Sequence, residues 1–190
     1  VAEAPEDRAM TELKWAMATF VATSAIAIST WVDTPTKLIW NASASTPIGF
    51  YSVEATGHLE VTDLVAIDAP EPIASFLATR GYLPRDTPLL KRVLGLPGQT
   101  VCRSGPLITI DGVEMGTALE RDRFGRALPD WQGCRVVAKD DVFLMNWDVH
   151  DSLDGRYFGP IPASSVIGRA VPLWTDEDGE GRFEWQAPTR

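Results

Sequence analysis

TPLLKRVLGLPG, residues 87–98, is the stretch whose reading decides the fold. Lys91 and Arg92 interrupt a run that is otherwise apolar from Leu89 to Leu96. In a strand, alternate side chains face opposite ways. Lys91 therefore shares a face with Leu89 and Val93, and Arg92 shares one with Leu90 and Leu94. Each cation is set on an apolar face. One reading is an edge strand whose cations snorkel to water. The other is a buried strand whose lysine is desolvated, which lowers its pKa and lets a neutral amine act as a base. Moving a lysine from ~10.4 to near 7 or 8 costs roughly 3–5 kcal/mol, so something else must hold such a site together.

Outward from this run, short apolar and β-branched segments recur at 50–53, 63–68, 107–111, 142–146 and 166–171, separated by Gly, Pro and Asp. The segment EPIASFLATRGYL, 71–83, has the one convincing helical pattern in this part of the chain. Ile73, Phe76, Leu77 and Arg80 fall on one face, with Gly81 as a stop. Residues 112–140 are richer in charge and poorer in strand pattern, and read as an excursion from the core. The fold class is mainly β with one short helix. The absence of βαβ alternation excludes a doubly wound nucleotide-binding fold.

Seventeen basic against 26 acidic residues give a net charge of −9, which excludes nucleic acid as the main partner. Much of the acidic excess lies at the ends, so residues 1–14 and 175–190 (with Asp176, Glu177, Asp178 and Glu180) read as solvated tails. Between the first tail and the strands, WAMATFVATSAIAISTWV, 15–32, carries no charge. As a helix it would span roughly 27 Å. Its five Ser/Thr residues weaken the apolar signal and leave a buried core helix as the alternative, but we read it as an uncleaved transmembrane anchor, ended by Asp33-Thr34-Pro35. Cys102 and Cys134 lack CxxC spacing and neighbouring histidines, so neither a metal site nor a cofactor is expected. They are either free and buried or, beyond a membrane anchor in an oxidising compartment, bridged, and with the anchor in place we favour the Cys102–Cys134 disulfide.

Two further stretches can carry chemistry. NASASTPIGFY, 41–51, places Ser43 and Ser45 two positions apart before Thr46-Pro47, in what composition alone makes a loop. HDSLDGRYFGP, 150–160, contains a tight turn at Asp154-Gly155 followed by Arg156. Asp154 is either half of a local exposed pair or the partner of a buried Arg92 or Arg156. A Ser45/His150 triad with Asp148, Asp151 or Asp154 finds no support in the spacing.

SASTPIGFY (43–51), KRVLGLPG (91–98) and SLDGRYFGP (152–160), in that order, resemble the boxes of bacterial type I signal peptidases, most closely the TraF-type branch that serves conjugative transfer. The second and third boxes are specific together, and the resemblance extends from Asn41 to about Trp174. It implies a signal-peptidase-like, β-rich catalytic domain behind an N-terminal transmembrane helix in the bacterial inner membrane, facing the periplasm. Ser45 would be the nucleophile and Lys91 the general base. Ser43 and the Ser45 amide would be oxyanion donors, and Ser152 would orient the lysine. Asp154, with Arg92 and Arg156, would form a charged cluster beside the site. The implied partner is a protein substrate, a propilin or a signal-bearing precursor, cleaved or cyclised. One residue between Ser45 and Pro47, where signal peptidases have two, and Gly155 in place of their usual serine, favour the TraF branch over a general signal peptidase. The rival readings are a non-catalytic, anchored component of a conjugation or type IV secretion apparatus, and a self-cleaving protease.

Overall fold

The computed structural model describes residues 5–29 and 36–188. The chain divides into two units after Pro35. The first contains helix α1 (Pro5–Ser29), 25 residues long. Its length suffices for a bilayer, but among the described residues no helix is both long and apolar enough to cross a membrane. Glu6, Asp7, Arg8, Glu12 and Lys14 fill its first half. In the second half hydroxyls turn back onto the helix, Thr19 Oγ1 donating to the Trp15 carbonyl and Thr23 Oγ1 to that of Thr19, at 2.9 Å each. The helix expected over 15–32 thus begins earlier than expected, at Pro5, and membrane crossing is not shown for it among the described residues. Residues 30–32 of that expectation, and 1–4 of the expected tail, lie outside the described residues.

The second unit holds two antiparallel sheets. The larger runs in the order β1 (Leu38–Asn41), β2 (Ile48–Glu54), β11 (Val166–Asp176), β3 (Leu64–Ile67), β4 (Leu89–Gly95), β9 (Asp141–Leu144) and β10 (Ile161–Pro162), with β12 (Glu184–Trp185) pairing β11. The smaller orders β7 (Val113–Thr117), β6 (Leu107–Ile110), β5 (Thr100–Ser104) and β8 (Gly133–Val136). Two short helices complete it, α2 (Glu71–Thr79) and α3 (Gly155–Phe158).

The decisive strand is interior. β4 pairs with β3, Lys91 opposite Val65, and on its other side with β9. Lys91 and Arg92 are only 4% and 7% exposed, so the edge-strand reading with snorkelling cations is excluded. The alternation predicted for β4 distributes its apolar residues among three clusters. Val93 packs with Val65, Ile67, Val142, Leu144 and Ile161. Leu90 joins Ile39, Tyr51, Val53, Leu64, Ala66 and Ala170. Leu94 joins Val101, Ile108, Ile110, Phe143 and Met145, which fastens the small sheet to the large one. Each fully buried Val, Leu, Ile or Phe contributes about 1.5–3 kcal/mol, and this is what offsets the cost of two buried cations.

Two boundary expectations change. Residues 112–140 are not a strand-poor excursion, because β7 and β8 lie within them and half the small sheet comes from this stretch. Cys102 and Cys134 stand opposite each other in β5 and β8 and are bridged. Closing that loop stabilises by about 3–4 kcal/mol in a chain-entropy picture. The acidic residues after 174 are only in part a solvated tail, Asp178 and Glu180 being exposed. β11 continues to Asp176, which is buried, and the chain then folds back through β12, Trp185 facing Trp174 in register.

Candidate active site

Ser45 lies in the turn between β1 and β2, and the turn is built around Asn41. The Asn41 amide nitrogen donates to the carbonyls of Ser43 (2.8 Å), Thr46 (3.0 Å) and Pro47 (3.0 Å), while its oxygen accepts from the Ser43 N–H and Oγ, both at 3.1 Å. Tyr51, buried on β2, donates its hydroxyl to the Pro47 carbonyl at 2.7 Å, and burial raises its pKa well above the phenolic range. Gly49 lets the turn approach β11: a Cβ there would lie 2.2 Å from the Trp174 carbonyl oxygen. In this frame Ser43 Oγ and Ser45 Oγ are 3.0 Å apart.

Lys91 projects from β4 toward the segment after β9. Its Nζ donates to Ser152 Oγ at 2.8 Å, and both residues are buried. Burial lowers the Lys91 pKa to about 8. Asp154 opposes that shift and Arg156 reinforces it. Arg92, one residue on, points to the opposite face. Its Nη1 donates to the Thr62 carbonyl (3.2 Å) and its guanidinium lies 5.5 Å from the Trp147 ring centroid.

Asp154 and Arg156 shape the segment that carries Ser152. Asp154 Oδ1 accepts from the Arg156 N–H (3.1 Å) and Nε (2.9 Å), and Oδ2 accepts from Arg156 Nη2 (2.8 Å) and the Asn146 N–H (3.1 Å). Arg156 also donates to the carbonyls of Asn146, Val149, His150 and Ser152. Of the partners considered for Asp154, the structure selects Arg156 and not Arg92. Gly155 permits this fold of the chain, since a Cβ would meet Phe143 Cε2 at 2.5 Å and the Leu144 carbonyl at 2.7 Å.

Asn146 joins the three pieces. Its Nδ2 donates to the carbonyls of Ser45 (2.7 Å) and Leu90 (3.2 Å), and its Oδ1 accepts from the Arg92 N–H (2.9 Å). The Ser45 turn and the Lys91 strand are thereby pinned to one side chain. Among the described residues, no hydrogen bond links Ser45 Oγ directly to Lys91 Nζ. His150 is apart from the serine, its Nε2 lying 3.5 Å from Thr117 Oγ1, so the triad reading fails. Asn41 and Asn146 are the residues that sequence reasoning missed. An Asx residue heading a Ser/Pro turn, and an amide closing an apolar strand, were the signals available.

Two cavities of opposite chemistry adjoin these groups. Ile67, Leu89, Leu144, Leu153, Phe158 and Ile161 surround Lys91 with apolar surface. A separate cleft of about 320 Å³ is lined by Ser45, Thr46, Arg92, Asn146, Asp148, Asp176 and Glu177 among others. The lysine thus sits in an apolar pocket, and Ser45 lines a separate cleft.

The fold is mainly β, and comparison with known proteins names its class. The chain belongs to the family described as signal peptidase, peptidase S26, whose pattern matches residues 10–174. It is 37% identical over 145 residues to a conjugal transfer protein TraF of Agrobacterium fabrum, covering 71% of this chain and 81% of that one. A plasmid transfer protein TraF of Escherichia coli is 29% identical over 154 residues, 77% of this chain and 82% of that one. A signal peptidase I of Leptolyngbya laminosa is 32% identical over 83 residues, 43% of this chain and 38% of that one. The TraF-type membership expected from the three boxes therefore stands.

Proposed function

We propose that this protein is a serine endopeptidase that uses Ser45 as nucleophile and Lys91 as general base. The observation that carries the reading is Lys91 itself, buried on an interior strand with its pKa lowered to about 8. In the reaction, Ser45 Oγ attacks the scissile carbonyl and its proton passes to neutral Lys91 Nζ. The Ser45 N–H and the Ser43 hydroxyl stabilise the oxyanion. Lys91 then returns the proton to the departing amine, which leaves an ester on Ser45. Ser152 holds the lysine between these transfers, and Asp154, Arg156 and Asn146 hold the backbone that presents Ser152 and Ser45.

The substrate in this reading is an exported precursor met at the periplasmic face of the inner membrane, a propilin of a conjugation system by likeness to the TraF branch. The Cys102–Cys134 bridge supports an oxidising compartment. Hydrolysis and cyclisation share the ester on Ser45 and differ in whether water or an amine resolves it.

A second reading, a non-catalytic component of the transfer apparatus, draws on the missing direct Ser45–Lys91 hydrogen bond among the described residues. Catalytic hydrogen bonds are often long in free enzymes and tighten with substrate bound, so this observation does not outweigh the first. The two readings separate on acylation by a penem-type probe, followed by intact mass and peptide mapping. An adduct on Ser45 in the wild type, absent from Ser45→Ala and Lys91→Ala, is the expected result. A Ser45→Ala protein that still restores transfer to a deletion strain would instead support the scaffold.

A further inference from the structure

The cleft beside Ser45 is acidic, and it shares no lining residue with the apolar pocket around Lys91. Asp148, Asp176, Glu177 and Asp178 line it, with Arg92 as its one cation. That guanidinium donates to the Thr62 carbonyl and lies by the Trp147 ring, and it feels Asp148 and Glu177 electrostatically without pairing with either. Asp178 is paired with Arg182 at 3.6 Å, but among the described residues Asp148, Asp176 and Glu177 enter no ion pair. Asp176 is 6% exposed. Its Oδ2 accepts from the Gly181 N–H at 2.8 Å, whereas its Oδ1 is buried with no hydrogen-bond partner. Buried carboxylate oxygens are ordinarily satisfied, and an orphan at a cleft wall marks a place where a donor belongs. The wall is also held rigidly: Thr175 Oγ1 donates to Glu177 Oε1 at 2.6 Å, and β11 is in close contact with Gly49 at the base of the serine turn.

We infer that this cleft receives a positively charged group of the substrate, an ammonium or guanidinium, next to the bond that Ser45 attacks. The inference rests on the serine-peptidase reading above and names the substrate chemistry it implies. Four lining carboxylates against one guanidinium leave the cleft net negative, so that it attracts a cation over a Debye length and rejects an acidic residue at the same position. A metal ion is the weaker candidate, because among the described residues no group of three or more His, Cys, Asp and Glu is placed to hold one. The peptide crossing Ser45 thus meets apolar surface at Lys91 and negative charge in the other cavity. Such a peptide has an uncharged residue on one side of the cut and a cation on the other. That cation is a Lys or Arg side chain or a free α-amine.

The test uses the full-length Ser45→Ala protein, so that binding is read without turnover. Nα-acetyl-lysine amide, glycinamide and the neutral Nα-acetyl-norleucine amide are titrated separately, and the backbone amides of residues 148 and 176–178 are followed by NMR. The expected result is saturable shifts with at least one cationic probe and none with the neutral one. Glu177→Gln and Asp148→Asn should each weaken binding about tenfold, as loss of a charged hydrogen bond does. Response to the lysine amide assigns the cation to a side chain, and response to glycinamide alone assigns it to a free terminus. Asp176→Asn is a further variant, but it also touches the Gly181 bond, so Glu177→Gln and Asp148→Asn decide the outcome. Equal shifts from the neutral probe, no shift from either cation, or variants that bind unchanged would each overturn the inference. Failure of the peptidase reading itself would show separately, as wild-type protein that gains no Ser45 adduct.

Discussion

Strand β4 and the segment from Asn146 to Arg156 each bury a cation, Lys91 at 4% and Arg156 at 1% exposure, and they treat it in opposite ways. Arg156 has a carboxylate of its own, gripped through Nε and Nη2, and directs its other donors to four carbonyls. A planar, permanently charged guanidinium with all three nitrogens engaged is a fastener. Lys91 has one hydroxyl partner and an apolar surround, and its ammonium gives up its proton far more readily than in water. Equal burial therefore accompanies a fully engaged cation in one region and a readily deprotonated one in the other. The difference lies in how many partners the fold supplies, and in the fact that lysine can discharge itself where arginine cannot.

The largest effect expected from this contrast is chemical. Lys91→Met should slow acylation of Ser45 by ~10²–10⁴-fold, the usual contribution of a positioned base, while the circular dichroism spectrum stays native. The next is structural: Arg156→Met strands Asp154 without its partner and should destabilise the fold by about 3–5 kcal/mol in chemical denaturation. A denaturation midpoint unmoved by Arg156→Met would break the comparison at its root. Third, Lys91→Met should raise stability by up to about 3 kcal/mol at neutral pH, since it removes a buried charge. The sign follows from a folded pKa of about 8 against an ordinary 10.5. Below pH 8 the lysine is charged in both states and burial is costly. Between 8 and 10.5 only the unfolded chain holds the proton, so the wild type gains stability as pH rises. Above 10.5 the advantage of Met is gone. The smallest effect is the most direct view of Lys91: the acylation rate of the wild type should rise about tenfold from pH 7 to pH 9, with its midpoint near 8. A flat profile would mean that another group accepts the proton.

Much of this molecule was readable before any coordinates, and the residues that were not share one property. The alternation of TPLLKRVLGLPG gave the two faces of β4, because a strand's period is local. The boxes around Ser45, Lys91 and Asp154 are contiguous, so likeness to the signal peptidase family located them. The pairing of Cys102 with Cys134 was one of two readings, and strand register decided it. Spacing could not show that β4 is interior, since edge and centre differ only in what pairs alongside. Nor could it show that acidic residues after Trp174 line a cleft, or that α1 starts as early as Pro5. The determining contacts are long-range: Asn146 reaches Ser45 across 101 positions, and Lys91 reaches Ser152 across 61. The sequence alone determined which side-chain types are available and which faces of β4 they occupy, because these follow from composition and backbone period. Only the tertiary structure decided which of them meet and how dry the lysine becomes, because burial and hydrogen bonding are properties of neighbours that the chain brings together from afar.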